Sequence, residues 1–342
     1  MKNLTAVIAV SNVKSQIYQL EMLFESMREF NFKYPVHLLV YKVTEQEPWM
    51  KEWDELNTLY PEIQIFKYSD NDSLKGLLAA YHNLHRFFSL REHFKQYNLD
   101  AILYLDSDII FTKELDIDDL IQDDINYGAD INSYNNWTYF TGKRSMVRPE
   151  KLQDWDTNKP LNKIWDSFNL SEEVLKSFDD QTAGVPFLLK NITWEFWEEC
   201  LYETVPLKKT FDGLNQKYIK GNTPQERSNN GWQSFCVDMW EIIFKYLGKG
   251  VEMKIDRRLD FAWATSDISE INSKGSVHNA GITPEMQSYA FYKGRYISGI
   301  VSPFDEIEEP YLEALHNSTL AQRYASWYYL DYLIKVRNKN HR

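Results

Sequence analysis

Cysteine is scarce in this chain of 342 residues, with Cys200 and Cys236 the only two. Two thiols cannot build a disulfide framework or a cysteine-based zinc site, and both are expected as buried free thiols. Basic residues are outnumbered: 38 lysines and arginines face 50 acids, for a net charge of −12. That balance argues against a protein coated in nucleic acid by charge alone, and leaves room for a local basic patch. No apolar run is long enough to cross a bilayer. The N-terminal MKNLTAVIAVSNVKSQ turns polar after a short apolar stretch and lacks a small-residue cleavage site, so a cytoplasmic protein with no membrane association is expected. Internal repeats and low-complexity segments are absent as well. Aromatic residues, by contrast, make up 15% of the chain, with 22 Tyr and 11 Trp. Such rings fill cores first and line pockets for sugars or bases second. A hydrophobic content of 43% supplies a sizeable core, and the length suits one large α/β domain or two smaller ones.

The first third alternates strand and helix patterns. Leu4 to Ser11, Val36 to Val43 and Ile63 to Ser69 read as apolar strands. SQIYQLEMLFESMREF and QEPWMKEWDELNTLY read as the helices between them, the second with Pro48 near its start. SLKGLLAAYHNLHRFFSLREHFKQY predicts one long amphipathic helix capped by Ser73, leading to AILYLDSDIIF (Ala101 to Phe111) as a fourth strand. This spacing implies βαβ units, a parallel sheet, and ligands at the carboxyl ends of its strands. Further on, ADINSYNNW and AGVPFLLKN read as strands, ITWEFWEECLYETV as a helix, and Lys208 to Asn230 as a basic loop broken by Gly213, Gly221 and Pro224. GWQSFCVDMWEIIFKYLG reads as a helix and GSVHNAG as a short strand, and the last 30 residues as aromatic-rich helix with a basic tail.

Two aspartates close an otherwise apolar strand at YLDSDIIF. Burying a lone carboxylate is costly, so a pair needs a basic side chain, water or a metal as partner. Carboxylate oxygens suit magnesium or manganese, and in an extended segment Asp106 and Asp108 would share a face. A solvated strand end is the plain alternative. His278, in SVHNAG, offers an imidazole suited to manganese, although a lone histidine at a strand end more often makes a structural hydrogen bond.

Together these segments resemble the GT-A family of nucleotide-sugar glycosyltransferases, through Asp106 and Asp108 in YLDSDIIF, His278 in VHNAG and Lys293 in YKGRY. The resemblance spans roughly Thr5 to Tyr296, with its specific signal confined to those short motifs. It implies an α/β GT-A fold: a Rossmann-like, mostly parallel sheet flanked by helices, with C-terminal helices appended. The implied division is a catalytic domain over 1–300, with a nucleotide-sugar-binding half (1–112) and an acceptor half (113–300), and a helical segment over 301–342. Asp106, Asp108 and His278 are then expected to hold Mn2+ or Mg2+ on the diphosphate of a nucleotide-sugar donor, a UDP-sugar for preference. Lys293 is expected to grip the phosphates, outside the Lys-Pro-Trp setting of some relatives. Ser11, Asn12 and Lys75 are candidates for nucleotide contact, each with an ordinary turn, cap or solvent-facing role as its alternative. Should configuration invert, a carboxylate must deprotonate the acceptor hydroxyl. Asp238 is the first candidate, and Asp180, beside Asp179, the second.

The acceptor is less legible. Lys208, Lys209, Lys217, Lys220 and Arg227, and the tail residues Lys335, Arg337, Lys339 and Arg342, are basic stretches on an acidic chain. With a composition like that of AT-rich bacteriophage products, they suggest hydroxymethylated DNA, 5-hydroxymethylcytosine above all, receiving an arabinosyl or glucosyl group in the host cytoplasm. A protein or cell-surface glycan acceptor is the competing expectation. A non-catalytic GT-A-like binding scaffold is the competitor from another class. Haloacid-dehalogenase phosphatases also use Asp-x-Asp, but on their first strand and with Thr or Val where Ile110 stands here.

Overall fold

The structure is a computed structural model and describes residues 2–42, 47–70, 74–156, 159–178 and 183–341. Its strands are β1 (Leu4–Ser11), β2 (Val36–Lys42), β3 (Ile63–Ser69), β4 (Ala101–Leu105), β5 (Ile109–Phe111), β6 (Asn126–Asp130), β7 (Ala183–Lys190), β8 (Met253–Ile255), β9 (Phe261–Trp263) and β10 (Ser276–His278). Seven of them form one sheet in the order β3-β2-β1-β4-β7-β6-β8, and β5-β10-β9 form a second. The first four strands of the large sheet are parallel, and β7 runs antiparallel to both its neighbours. This is the mostly parallel, helix-flanked α/β sheet that the resemblance implies. Every residue of β1 is buried, because the sheet is covered on both sides. Val7 and Ala9 enter the apolar cluster on one face, and Ala6, Ile8 and Val10 the cluster on the other.

The main helices are α1 (Ile17–Glu29), α2 (Glu52–Leu59), α3 (Lys75–Ala80), α4 (Leu84–Gln96), α5 (Trp194–Tyr218), α6 (Pro224–Asn230), α7 (Val237–Gly248), α8 (Glu309–His316) and α9 (Ala325–Asn340). On α1, Leu20, Leu23, Phe24 and Met27 repeat at helical spacing and are buried against the sheet, each contributing about 1.5–3 kcal/mol relative to exposure. Its other side, Tyr18 and Met22, packs with Val277, Tyr329 and Leu333 in a third cluster that ties the C-terminal helices to the small sheet.

Several segments differ from the sequence reading. The helix expected over 73–97 is two helices, because Tyr81 adopts an extended backbone between α3 and α4; Ser73 lies outside the described residues. The expected strand over 101–111 is two strands in different sheets, with a turn at Asp106–Ser107–Asp108. ADINSYNNW holds only the end of β6 before a short helix begins at Asn132. The expected loop over 208–230 is largely helical. Cys200, Thr204, Leu207, Phe211, Asn215 and Tyr218 keep a buried stripe at helical spacing, so α5 runs on past Pro206 and Gly213. The described cations of the basic tail are spent internally: Lys335 pairs with Glu29, Lys339 with Glu25, and buried Arg337 approaches Glu309, while Arg342 lies outside the described residues.

Between α5 and α7 lies a buried acid. Glu241 is fully buried, neither of its carboxyl oxygens is hydrogen-bonded, and the Lys245 ammonium 3.6 Å away donates instead to Glu203 and Glu199. Burial pushes its pKa from 4.5 up to about 8, against the opposing pull of Lys245. The folded state therefore binds a proton that the unfolded chain has released between those two values, so this group's contribution to stability falls as pH rises through that window. Glu241→Gln should remove the dependence. Its Tm should match wild type near pH 5 and exceed it by on the order of 3 °C at pH 8, read by calorimetry across pH 5–9.

Candidate active site

The turn after β4 is pinned from below. The Ser107 hydroxyl donates to Gln16 Oε1 at 2.7 Å, which fixes the two aspartates on either side of it. β5 then pairs antiparallel with β10 in a register that sets Ile109 opposite His278, and the Asn279 N–H donates to the Asp108 carbonyl at 3.0 Å. This pairing delivers His278 to the turn. Its Nε2 lies 3.2 Å from Asp108 Oδ1 and 3.6 Å from Asp106 Oδ2, and one ligand atom from each of the three residues lies within 4.8 Å of the others. The ring is held by Phe261 edge-on and Trp263 stacked.

Two carboxylates and an imidazole are the donor set of a hard or borderline divalent cation. Asp106 Oδ1 and His278 Nδ1 are buried without a hydrogen-bond partner, although Asp106 Oδ1 has Arg86 Nη1 in ionic contact at 2.9 Å. With His278 Nε2, Asp106 Oδ2 and Asp108 Oδ1 converging, the residues present fit Mn2+ or Mg2+. Lys293 sits on a 3-10 turn anchored through Arg295 and Tyr296 to Glu308, and its ammonium pairs with Asp108 Oδ2. Burial alone would raise the Asp108 pKa, but Lys293 and His278 outweigh it and hold the carboxyl well below the usual range.

A second group lies beside the first. Arg86, on α4, reaches Asp106 and also Asp238 Oδ2 at 3.4 Å on α7. The Tyr81 hydroxyl is within hydrogen-bond reach of Asp238 Oδ1 (2.8 Å) and the Phe235 carbonyl (2.6 Å), and Asn83 Nδ2 donates to Tyr81 Oη. The extended residue that splits the expected long helix thus aims Tyr81 and Asn83 at Asp238. Burial, helped by the nearby Asp106 charge, raises the Asp238 pKa against the pull of Arg86 and Tyr81.

Asp106, Asp108, His278, Lys293, Arg86 and Asp238 all line one cavity of about 860 Å³. Tyr134, Trp263, Phe235, Gln225, Asn229 and Gln233 line the same cavity. The other sequence candidates lie elsewhere. Ser11 Oγ bonds His82 Nε2 at 2.9 Å, near the helix break. Asn12 is buried, with its amide donating to Glu47 and accepting from the Trp53 indole, so its side chain is committed to the fold. Lys75 is exposed at the start of α3, and Asp179 and Asp180 lie outside the described residues. Arg86, Tyr81 and Asn83 escaped the sequence reading. The available signal was an arginine beside the apolar stripe of Leu84, Phe87 and Phe88.

No protein-family model matches the chain, and no curated protein matches it. Among solved structures, the chain is similar to the galactosyltransferase LgtC in complex with donor and acceptor sugar analogues, at 12% identity over 90% of this chain and 99% of that one, with a TM-score of 0.42. It is also similar to the glycosyltransferase GlyE of Streptococcus pneumoniae TIGR4, at 12% identity over 99% of this chain and 63% of that one, with a TM-score of 0.38. A third is the bifunctional glycosyltransferase WbbM, at 11% identity over 94% of this chain and a TM-score of 0.43; the chain spans 50% of WbbM's length.

Proposed function

We propose that this chain is a metal-dependent glycosyltransferase that moves a sugar from a nucleotide-sugar, a UDP-sugar for preference, to an acceptor hydroxyl. The observation behind this reading is the convergence of Asp106, Asp108, His278 and Lys293 on one cavity beside the carboxyl end of β4. Asp106, Asp108 and the Nε2 of His278 would hold a divalent cation, which when bound supplies Lewis-acid stabilisation to a departing diphosphate. Lys293 adds a mobile positive charge on the same side. Arg86 keeps the Asp106 and Asp238 carboxylates apart and neutralised in a site where two unpaired charges would be costly. Asp238, with its pKa raised, is the group suited to accept a proton from an acceptor hydroxyl.

For the acceptor, hydroxymethylated DNA draws on the composition and the basic stretches, and the tail no longer supports it, since its described cations pair with Glu29, Glu25 and Glu309. A glycan or protein hydroxyl draws on the aromatic and amide wall of the cavity.

Thermal-shift and donor-hydrolysis assays of UDP-, GDP- and dTDP-sugars, with and without manganese, test the reading. Stabilisation by one nucleotide only in the presence of metal is the expected result. No metal-linked shift with any nucleotide would replace it with the binding-scaffold reading. Lys293→Ala should cut donor turnover about 10²-fold while leaving the nucleotide-dependent Tm shift largely in place, measured by initial rates at saturating donor.

A further inference from the structure

Three polar side chains are buried beside the Asp106–Asp108 turn without lining the cavity. Tyr18, Tyr329 and Asn279 are 2%, 0% and 1% exposed. Both phenol hydroxyls, and both ends of the Asn279 amide, have no hydrogen-bond partner among the described residues. Tyr18 stands in the first turn of α1 between Gln16 and Gln19, whose amide oxygens lie 2.7 and 3.2 Å from the Ser107 hydroxyl. Gln19 gives its own N–H to the Ser15 carbonyl at 2.9 Å, so it is not free for the phenol. Tyr329, on α9, shares an apolar cluster with Tyr18, Ile110 of β5 and Val277 of β10. Asn279 lies two residues beyond Val277, which by strand alternation turns it to the same side, and its backbone N–H holds the Asp108 carbonyl. The Tyr18 and Tyr329 rings both pack on Phe291, at centroid distances of 6.5 and 5.7 Å, two residues before Lys293.

A buried hydroxyl or amide without a partner is costly, and phenylalanine would fill either tyrosine position without that cost. What sets this corner apart is the charge beside it. Burial, with the Asp108 charge adding to it, pushes both phenols up, so each stays an O–H donor. Asp108 has need of donors. Its side chain is 7% exposed, and the ammonium paired with its Oδ2 belongs to Lys293, which is 38% exposed and free to turn toward donor phosphates. Two phenol hydrogens and the Asn279 Nδ2 hydrogens then stand near a carboxylate that has lost a partner.

We propose that Tyr18, Tyr329 and Asn279 are positioning residues for Asp108, an outer shell whose hydrogen bonds, carried by ordered water, hold its carboxylate on the cation when Lys293 turns away. A buried water takes about two to four polar partners, and the two phenols, the amide and the carboxylate supply them. Partners of this kind orient a ligating carboxylate and raise its affinity for metal. The inference rests on the metal-dependent reading above.

The test is a titration of Mn2+ into the full-length protein, with and without UDP, followed by the electron paramagnetic resonance signal of free Mn2+. Wild type is expected to bind. Tyr18→Phe/Tyr329→Phe should bind at least about tenfold more weakly, and Asn279→Ala, which keeps the backbone N–H on Asp108, should shift the same way. The metal-free Tm of the double variant should equal or exceed that of wild type, because the rings stay and two unpartnered hydroxyls go. At saturating Mn2+ its nucleotide-sugar turnover should approach the wild-type value. Tyr246→Phe removes a buried unpartnered hydroxyl from another apolar cluster and should leave Mn2+ affinity unchanged. Wild-type Mn2+ affinity in the double variant would overturn the outer shell and leave the metal reading standing. No Mn2+ binding by wild type in either condition would remove the metal reading and this inference with it.

Discussion

Replacing Asp108 with asparagine should leave a folded protein whose donor turnover is at least about 10³-fold below wild type and no longer responds to manganese. The side chain keeps its size and its place in the turn, because the position is fixed by the Ser107 hydroxyl and by the Asn279 N–H on the Asp108 backbone, not by the carboxylate. What is lost is a charge held deprotonated by Lys293 and His278. Lys293 is 38% exposed and can turn to water, so the expected fall in Tm is small. Initial rates with and without metal, set beside near-UV circular dichroism, separate loss of chemistry from loss of fold. Wild-type turnover in this variant, or of the native protein in excess EDTA, would sink the metal-dependent mechanism.

Arg86→Met should be the most destabilising substitution in the site. It removes the one cation among the described residues that pairs with both Asp106 and Asp238, and leaves two poorly exposed carboxylates facing each other across its former place. Breaking a buried pair by deleting one partner costs about 3–5 kcal/mol, which in a chain of this size corresponds to a fall in Tm on the order of 5 °C. The loss should be largest in EDTA and smaller in millimolar manganese, since a cation at Asp106 relieves the same repulsion. A second substitution, Asp238→Asn in the Arg86→Met background, should recover part of the stability without recovering turnover. Independent, additive losses from the two changes would mean that the Arg86 contacts at 2.9 and 3.4 Å carry no coupling.

The clustering of the site was legible wherever it rested on residue type and position. Ala101 to Leu105 announced a buried strand, and Asp106 and Asp108 at its end, with His278 and Lys293 far downstream, named the cluster that the fold assembles. The shape of the turn was not legible, because Asp-Ser-Asp continues an alternating pattern and only the two different sheets divide it. Nothing in Tyr81-His82-Asn83 breaks a helix by propensity. The break is set by hydrogen bonds to Asp238 and Phe235, more than 150 positions away, which no local window contains. The continuation of α5 past Pro206 was hidden for the opposite reason. Its polar surface and Gly213 read as a loop, and only the spacing of Phe211, Asn215 and Tyr218 carries the helix onward.

The three-residue ladder between β5 and β10 has a consequence for how the protein comes into being. It closes a loop that runs from Phe111 to Ser276, and every contact of His278 with the aspartates waits for that closure. Closing so long a loop is entropically late in folding, and contacts of such sequence separation slow the approach to the native state. During synthesis the parallel strands can pair while the ribosome is still adding the later half, yet no nascent chain shorter than His278 possesses all three of Asp106, Asp108 and His278. The large sheet is thus a scaffold that exists before its site. On refolding from denaturant, tryptophan fluorescence should recover ahead of any manganese-dependent nucleotide signal, and the lag between them would time the docking of β10.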